Sequence, residues 1–245
     1  MCTVSFVPSN GKIIITSNRD EQVLRPAIEP KKYKIDGKTV IFPKDPKAGG
    51  TWYAVCENGT ILVLLNGADE KHKHQPPYNR SRGLIVLEII SSTSSILHWD
   101  AIDLDNVEPF TLVLYQDSKL YQLRWNGNAK SRVDLDASNN HIWSSSTLYT
   151  KEIRKQRSEW FYSFMENKAT VTETEMYDFH RYTESSDAKN GLIINRNDAL
   201  KTLTITQTVL QNEEIIMNHY DLIDGKSYEL EVGKNPNPEV SGLNP

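Results

Sequence analysis

The stretch Cys2-Thr3-Val4-Ser5-Phe6-Val7-Pro8-Ser9-Asn10-Gly11-Lys12-Ile13-Ile14-Ile15-Thr16-Ser17-Asn18-Arg19-Asp20-Glu21 reads as two strand-like runs joined by Asn-Gly, the strongest short-range signal for a two-residue hairpin turn. A two-residue loop sets the register. Ser9 then opposes Lys12, Phe6 opposes Ile15, Val4 opposes Ser17 and Cys2 opposes Arg19, with Asp20 one step beyond. Directly opposed side chains share a face of the sheet. Val4, Phe6 and Ile15 therefore form a buried apolar face that ends in Cys2 beside Arg19. A slip of one residue would reverse the assignment.

The chemistry follows from that juxtaposition. The small Cys2 side chain permits removal of Met1, on which the N-terminal chemistry depends. The freed α-amino group has a reference pKa of about 8 and the thiol about 8.5. The amine can take the thiol proton directly or through one water, so nucleophile and general base reside in a single residue. Arg19 alongside would lower both values. Three roles are open to Asp20: holding the ammonium form, orienting the amine, or positioning Arg19 through a bidentate pair.

Further motifs follow in order: Gly49-Gly50-Thr51-Trp52, Leu64-Leu65-Asn66, Ser81-Arg82-Gly83 and Ser145-Ser146-Thr147-Leu148-Tyr149. Together with Met1-Cys2-Thr3 and Asn18-Arg19-Asp20-Glu21, this set resembles the NRDE family, also called the transport and Golgi organisation protein 2 family, over residues 1–150. That family is similar in turn to N-terminal-nucleophile hydrolases of the choloylglycine hydrolase and penicillin V acylase type, which begin Met-Cys and cleave non-peptide amide bonds. The resemblance implies an α+β fold, a four-layer αββα sandwich. It implies Cys2 as nucleophile and Arg19 with Asp20 as the charged pair, although Asn18 and Glu21 could occupy the same pattern. Asn66 matches the donor to the oxyanion, and Ser145 stands where the hydrolases carry a further Asn. Arg196 is the candidate for their late Arg.

Local reading adds to this. Asn58-Gly59 is expected to close a second tight hairpin that opposes Thr51 to Asn66 and leaves Asn66 at a strand end. The polar loop 68–80 follows directly, so Tyr78 can overhang the site. Substrate binding is assigned to Asn18, Trp52, Tyr78 and Arg196. The implied activity is an amidohydrolase or acyltransferase that cleaves the C–N bond of a small acyl-amide or lipid-like substrate through a Cys2 thioester, with no cofactor. The alternative is a non-catalytic factor that handles or traffics a lipid, acyl-thioester or haem. A third reading makes Cys2 a redox-sensing thiol.

With 245 residues, 38% apolar and 24% charged, the chain can bury one large core. One domain is expected over 1–232, with a mobile tail over 233–245. A net charge of −4 with no basic stripe argues against nucleic acid. No apolar run approaches the ~18 residues a membrane helix needs, and no signal peptide opens the chain, so a cytoplasmic protein is expected. Cys2 and Cys56 are the two cysteines, both expected reduced, with Cys56 in the core. His72-Lys73-His74 lacks partners at ligand spacing and reads as a solvated loop rather than a metal site. Oligomeric state is left open.

Beyond the first hairpins, a strand is expected over 38–42, a buried helix over 84–90, and a hairpin around Asp117-Ser118. Helices are expected over 150–166 and 172–181, the second opened by a capping box from Thr172 to Glu175. Strands return over 203–210, 214–222 and 227–232.

Overall fold

In the computed structural model, residues 3–212 and 214–234 are described. Asn10 and Gly11 both take positive φ, 48° and 72°, and join β1 (Thr3–Ser9) to β2 (Lys12–Gln22). This is the paired positive-φ turn that Asn-Gly favours. The register is the expected one, from Thr3 opposite Asn18 to Ser9 opposite Lys12.

The chain continues through β3 (Ile28–Ile35), β4 (Lys38–Lys44), β5 (Tyr53–Cys56) and β6 (Ile61–Asn66). Helices α1 (Arg82–Ser91) and α2 (Ser95–Ala101) intervene before β7 (Phe110–Gln116), β8 (Lys119–Trp125) and β9 (Lys130–Leu135). Strands β3 to β9 pair in sequence order as one antiparallel sheet. Next come β10 (His141–Ser144), α3 (Lys151–Met165), α4 (Glu173–Tyr182), β11 (Asn195–Arg196), β12 (Leu200–Gln211), β13 (Glu214–Asp221) and β14 (Ser227–Lys234). The second antiparallel sheet has the order β10-β1-β2-β12-β13-β14, with the short β11 also on β12.

Strand periodicity explains the layering. Val4, Phe6, Ile13 and Ile15 face the other sheet and share its core with Tyr53, Leu112 and Leu114, while the Tyr53 hydroxyl donates to the Ile15 carbonyl at 2.9 Å. Val7 and Ile14 face the opposite way and bury against Phe161, Met176 and Phe179 of α3 and α4. Helix α1 packs on β5 and β6. The result is the expected α+β four-layer αββα sandwich. Among the described residues no helix is long and apolar enough to cross a membrane.

Several local expectations change. The loop at Asn58-Gly59 spans three residues, because only Gly59 takes positive φ and the Asn58 side chain accepts from the Thr60 amide at 3.1 Å. Tyr53 therefore opposes Val63, and the Trp52 carbonyl accepts from the Leu64 amide at 2.8 Å. Trp52 is thereby level with Leu64, and Thr51 does not oppose Asn66 as expected. Strands β3, β10 and β11 and helix α2 were not anticipated. β14 runs through Lys234, two residues into the expected tail, and 235–245 lie outside the described residues. Cys56 is buried in the core as expected.

Candidate active site

At the end of β2 the strand's alternation separates Arg19 from Asp20. Both are buried, yet they point to opposite faces. The Arg19 guanidinium lies between the sheets, 4.4 Å from the centre of the Trp52 ring, and donates to the Arg25 carbonyl at 2.9 Å. The Asp20 carboxylate accepts from the Tyr149 hydroxyl at 2.6 Å and the Thr202 hydroxyl at 2.5 Å. No ion pair between Arg19 and Asp20 forms among the described residues, so the bidentate pairing envisaged for them is corrected.

Arg19 opens into a cleft of about 380 Å³ that Trp52, Leu64, Asn66 and Tyr78 also line. The structure thus brings together Arg19, Trp52, Asn66 and Tyr78. Cys2 and Met1 lie outside the described residues. Thr3, the first residue described, is paired on one side with Asn18 and on the other with Ser144.

Two glycine-bearing motifs shape the floor of this cleft. The Thr51 amide donates to the Gly83 carbonyl at 3.2 Å, docking the start of α1 on the approach to β5. A Cβ on Gly50 would fall 2.2 Å from the Gly83 carbonyl carbon, so only glycine permits that approach. Arg82, in the first turn of α1, pairs with Glu108 at 2.9 Å. Burial lowers the Arg82 pKa, and Glu108 resists. Burial would raise the Glu108 carboxyl, but Arg82 and hydrogen bonds from His72 and His74 outweigh it and hold it low. Both imidazoles bond Glu108 Oε1, at 3.0 and 3.2 Å, so the loop read as solvated is pinned over the cleft.

Ser145 behaves differently from an oxyanion donor. Its hydroxyl donates to the Asn66 carbonyl at 2.7 Å and lies 2.9 Å from the Thr147 hydroxyl, so it holds the strand end that presents Asn66. Asn18 is on the face away from the cleft. Its amide donates to the carbonyls of His180 (3.1 Å) and Leu192 (2.7 Å) and its oxygen meets His180 Nδ1 at 2.6 Å, which corrects its assignment to substrate binding. With the amide oxygen as acceptor, Nδ1 carries the proton and Nε2 accepts from Ser5 at 2.7 Å. This Ser-His-Asn chain is fully buried. Desolvation and then the nearby Arg157 charge push the His180 pKa down to about 3, which marks a neutral, structural histidine.

Arg196 bonds the Leu148 and Lys189 carbonyls and lies 5.2 Å from the Tyr149 ring, outside the cleft. A different arginine reaches the start of the chain. Arg157, fully buried, donates to Thr3 Oγ1 at 2.6 Å and lies 3.5 Å over Tyr149. It also bonds the carbonyls of Asn190 and Gly191. Its signal was present: Ile153, Arg157 and Phe161 fall at i, i+4 spacing, which places a cation on the apolar stripe of α3.

A family model described as Transport and Golgi organisation 2 matches residues 1–222. Among curated proteins no significant match is found. Among solved structures the fold is similar to a variant of the conjugated bile acid hydrolase of Clostridium perfringens (TM-score 0.58, 9% identity, 99% of this chain and 95% of that one). It is also similar to the Caenorhabditis elegans ortholog of N-acylethanolamine-hydrolyzing acid amidase (TM-score 0.59, 10% identity, 84% of this chain and 92% of that one).

Proposed function

The chain belongs to the Transport and Golgi organisation 2 family, and from that premise we propose that it is a cysteine N-terminal-nucleophile amidohydrolase or acyltransferase acting on a small acylated amine. The observation that carries this reading is the convergence of Arg19, Trp52 and Asn66 on one cleft at the end of the hairpin whose first described pair is Thr3–Asn18. Similarity in fold to two amide hydrolases supports it.

In the proposed reaction the Cys2 thiol gives its proton to the α-amino group and its sulfur attacks the amide carbonyl carbon. The Asn66 amide donates to the resulting oxyanion, a contribution of about 2.7–4 kcal/mol for one such donor. As the intermediate collapses the C–N bond breaks, and the leaving amine takes the proton from the α-ammonium. Water, or an acceptor amine, then attacks the thioester carbon, the α-amino group receives its proton, and the thiol is restored with release of the acyl product. Arg19 favours the thiolate.

Ser145 gives weight to a second reading. With its hydroxyl spent on the Asn66 carbonyl, the site has one side-chain oxyanion donor fewer than the resemblance implies, as a carrier of acylated ligands would tolerate. Intact-mass analysis after incubation with N-acyl amides separates the two. The hydrolase reading requires loss of Met1, an acyl adduct on Cys2, and no turnover by a folded Cys2→Ala variant. Binding with neither adduct nor turnover would leave the carrier.

A further inference from the structure

The outer face of the first hairpin carries a buried cluster around Asp20 that the proposed reaction leaves without a part. Each oxygen of the Asp20 carboxylate accepts a hydroxyl: Tyr149 donates to Oδ2 at 2.6 Å and Thr202 to Oδ1 at 2.5 Å, the lengths of charge-assisted hydrogen bonds. A β-bulge between Thr202 and Thr204 creates the second contact, because Thr204 opposes Arg19 and an unbroken ladder would set Leu203, not Thr202, against Asp20. Tyr149 is itself buried and held by charge. The Arg157 guanidinium lies 3.5 Å over its ring and that of Arg196 lies 5.2 Å away. Arg157 also donates to Thr3 Oγ1 at 2.6 Å, so one tyrosine and one arginine hold both Asp20 and the residue that follows Cys2. Arg157 further interacts with the neutral His180 of α4 and with Asp187 in the turn after it.

This cluster meets a conflict within the proposed mechanism. The spacing that opposes Cys2 to Arg19 directs the amino nitrogen of residue 2 toward the next position, Asp20. A carboxylate with no other donor would orient that amine but hold it as ammonium, because an opposite charge nearby favours the charged form, and an ammonium cannot take the thiol proton. A carboxylate that already accepts two hydroxyls has its charge spread over those bonds and is a weaker partner for the amine. We infer that Tyr149 is a positioning residue of the reaction: its hydroxyl fixes Asp20 and draws off part of its charge, so that the amino group of Cys2 is oriented yet free to act as a base near neutral pH. This rests on the hydrolase reading for the use of the amine as base, and on the contacts of Tyr149 with Asp20 and Arg157 alone for the titration of that amine.

The test needs no substrate. Protein released from a ubiquitin fusion immediately before residue 2, and carrying Cys2→Ala so that no thiol competes, is labelled with trace acetic anhydride between pH 6 and pH 10, and acetylation of the α-amino group is followed by mass. Tyr149→Phe removes the hydroxyl and keeps the ring beneath Arg157. It should raise the titration midpoint of the amine by about half to one unit, slowing its labelling at pH 7 by about three- to tenfold with little change at pH 10. Thr202→Val, which removes the other hydroxyl, should shift the midpoint the same way. In an Asp20→Asn background Tyr149→Phe should have no effect, a pattern that loss of packing would not produce. A midpoint unchanged or lowered in both hydroxyl variants, or a shift of equal size in the Asp20→Asn background, overturns the inference. Acyl-adduct formation on Cys2, in the protein with that residue intact, reports separately. A shift of the amine without an adduct keeps its tuning by Tyr149 and sinks the hydrolase reading, and an adduct without a shift does the reverse.

Discussion

Removing Arg157 should reach further than its place on α3 suggests. Its guanidinium supplies donors to Thr3 Oγ1, Asn190 O and Gly191 O and covers the Tyr149 ring, which in turn holds Asp20. Methionine fills the volume but leaves buried acceptors unmet, at about 1–3 kcal/mol each. Arg157→Met is therefore expected to lower stability by at least about 3 kcal/mol, read as a shift in the urea midpoint; an unchanged midpoint would mean that water replaces the guanidinium. At Asn66 the expected effect is kinetic. Asn66→Ala should lower kcat by about 10²–10³ with little change in KM, the pattern of a donor used mainly in the transition state. A rise in KM alone would make Asn66 a binding residue. The alternation that sends Arg19 and Asp20 to opposite faces was legible in the hairpin spacing. That Tyr149 and Thr202 would claim Asp20 was not, because both arrive from more than a hundred residues away.

At the level of elements, two glycines are required for different reasons, and substitution should separate them. Gly11 has nothing within 4 Å of a built Cβ, so Gly11→Ala meets only the cost of a positive φ, about 1–2 kcal/mol. Gly50→Ala drives a Cβ into the Gly83 backbone, an overpacking that costs typically about 1–3 kcal/mol on its own. It should also free the Thr51 amide, detectable as faster hydrogen exchange there and over the first turn of α1, whereas Gly11→Ala should leave that exchange slow. If Gly50→Ala left the Thr51 amide protected, the docking of α1 would not depend on the glycine pair. The hairpins at Asn10-Gly11 and Asp117-Ser118 were readable because each turn sets its own register. Asn58-Gly59 misled by one residue, since the same dipeptide also closes a three-residue loop. β3 escaped notice as an edge strand rich in lysine and interrupted by Pro30, and β10 because it is four residues long and paired at an edge.

Across the whole molecule, burial of neutral histidines ties stability to pH. His180 is held at about 3 and His219 at about 4, both below the unfolded value, so their contribution is complete above pH 6.5 and is lost as pH falls toward those values. For His180 the loss by pH 4 is about 3 kcal/mol. The stability gap between the unsubstituted protein and His180→Gln should shrink by about that amount between pH 7 and pH 4, measured by urea unfolding at each pH. A constant gap would show that His180 is not kept neutral. His219 is common to both proteins and cancels from the comparison. The sequence by itself determined the first hairpin and its faces, the helices of the outer layer with the Thr172 cap of the second, and, through ordered short motifs, the family and its sandwich. All of these are carried by local spacing or turn chemistry. Tertiary structure alone decided that Trp52 stands over Arg19, that Ser145 serves Asn66, and that Arg157 rather than Arg196 reaches Thr3. Those contacts join segments distant in the sequence, and their geometry exists only once the sheets and helices have packed.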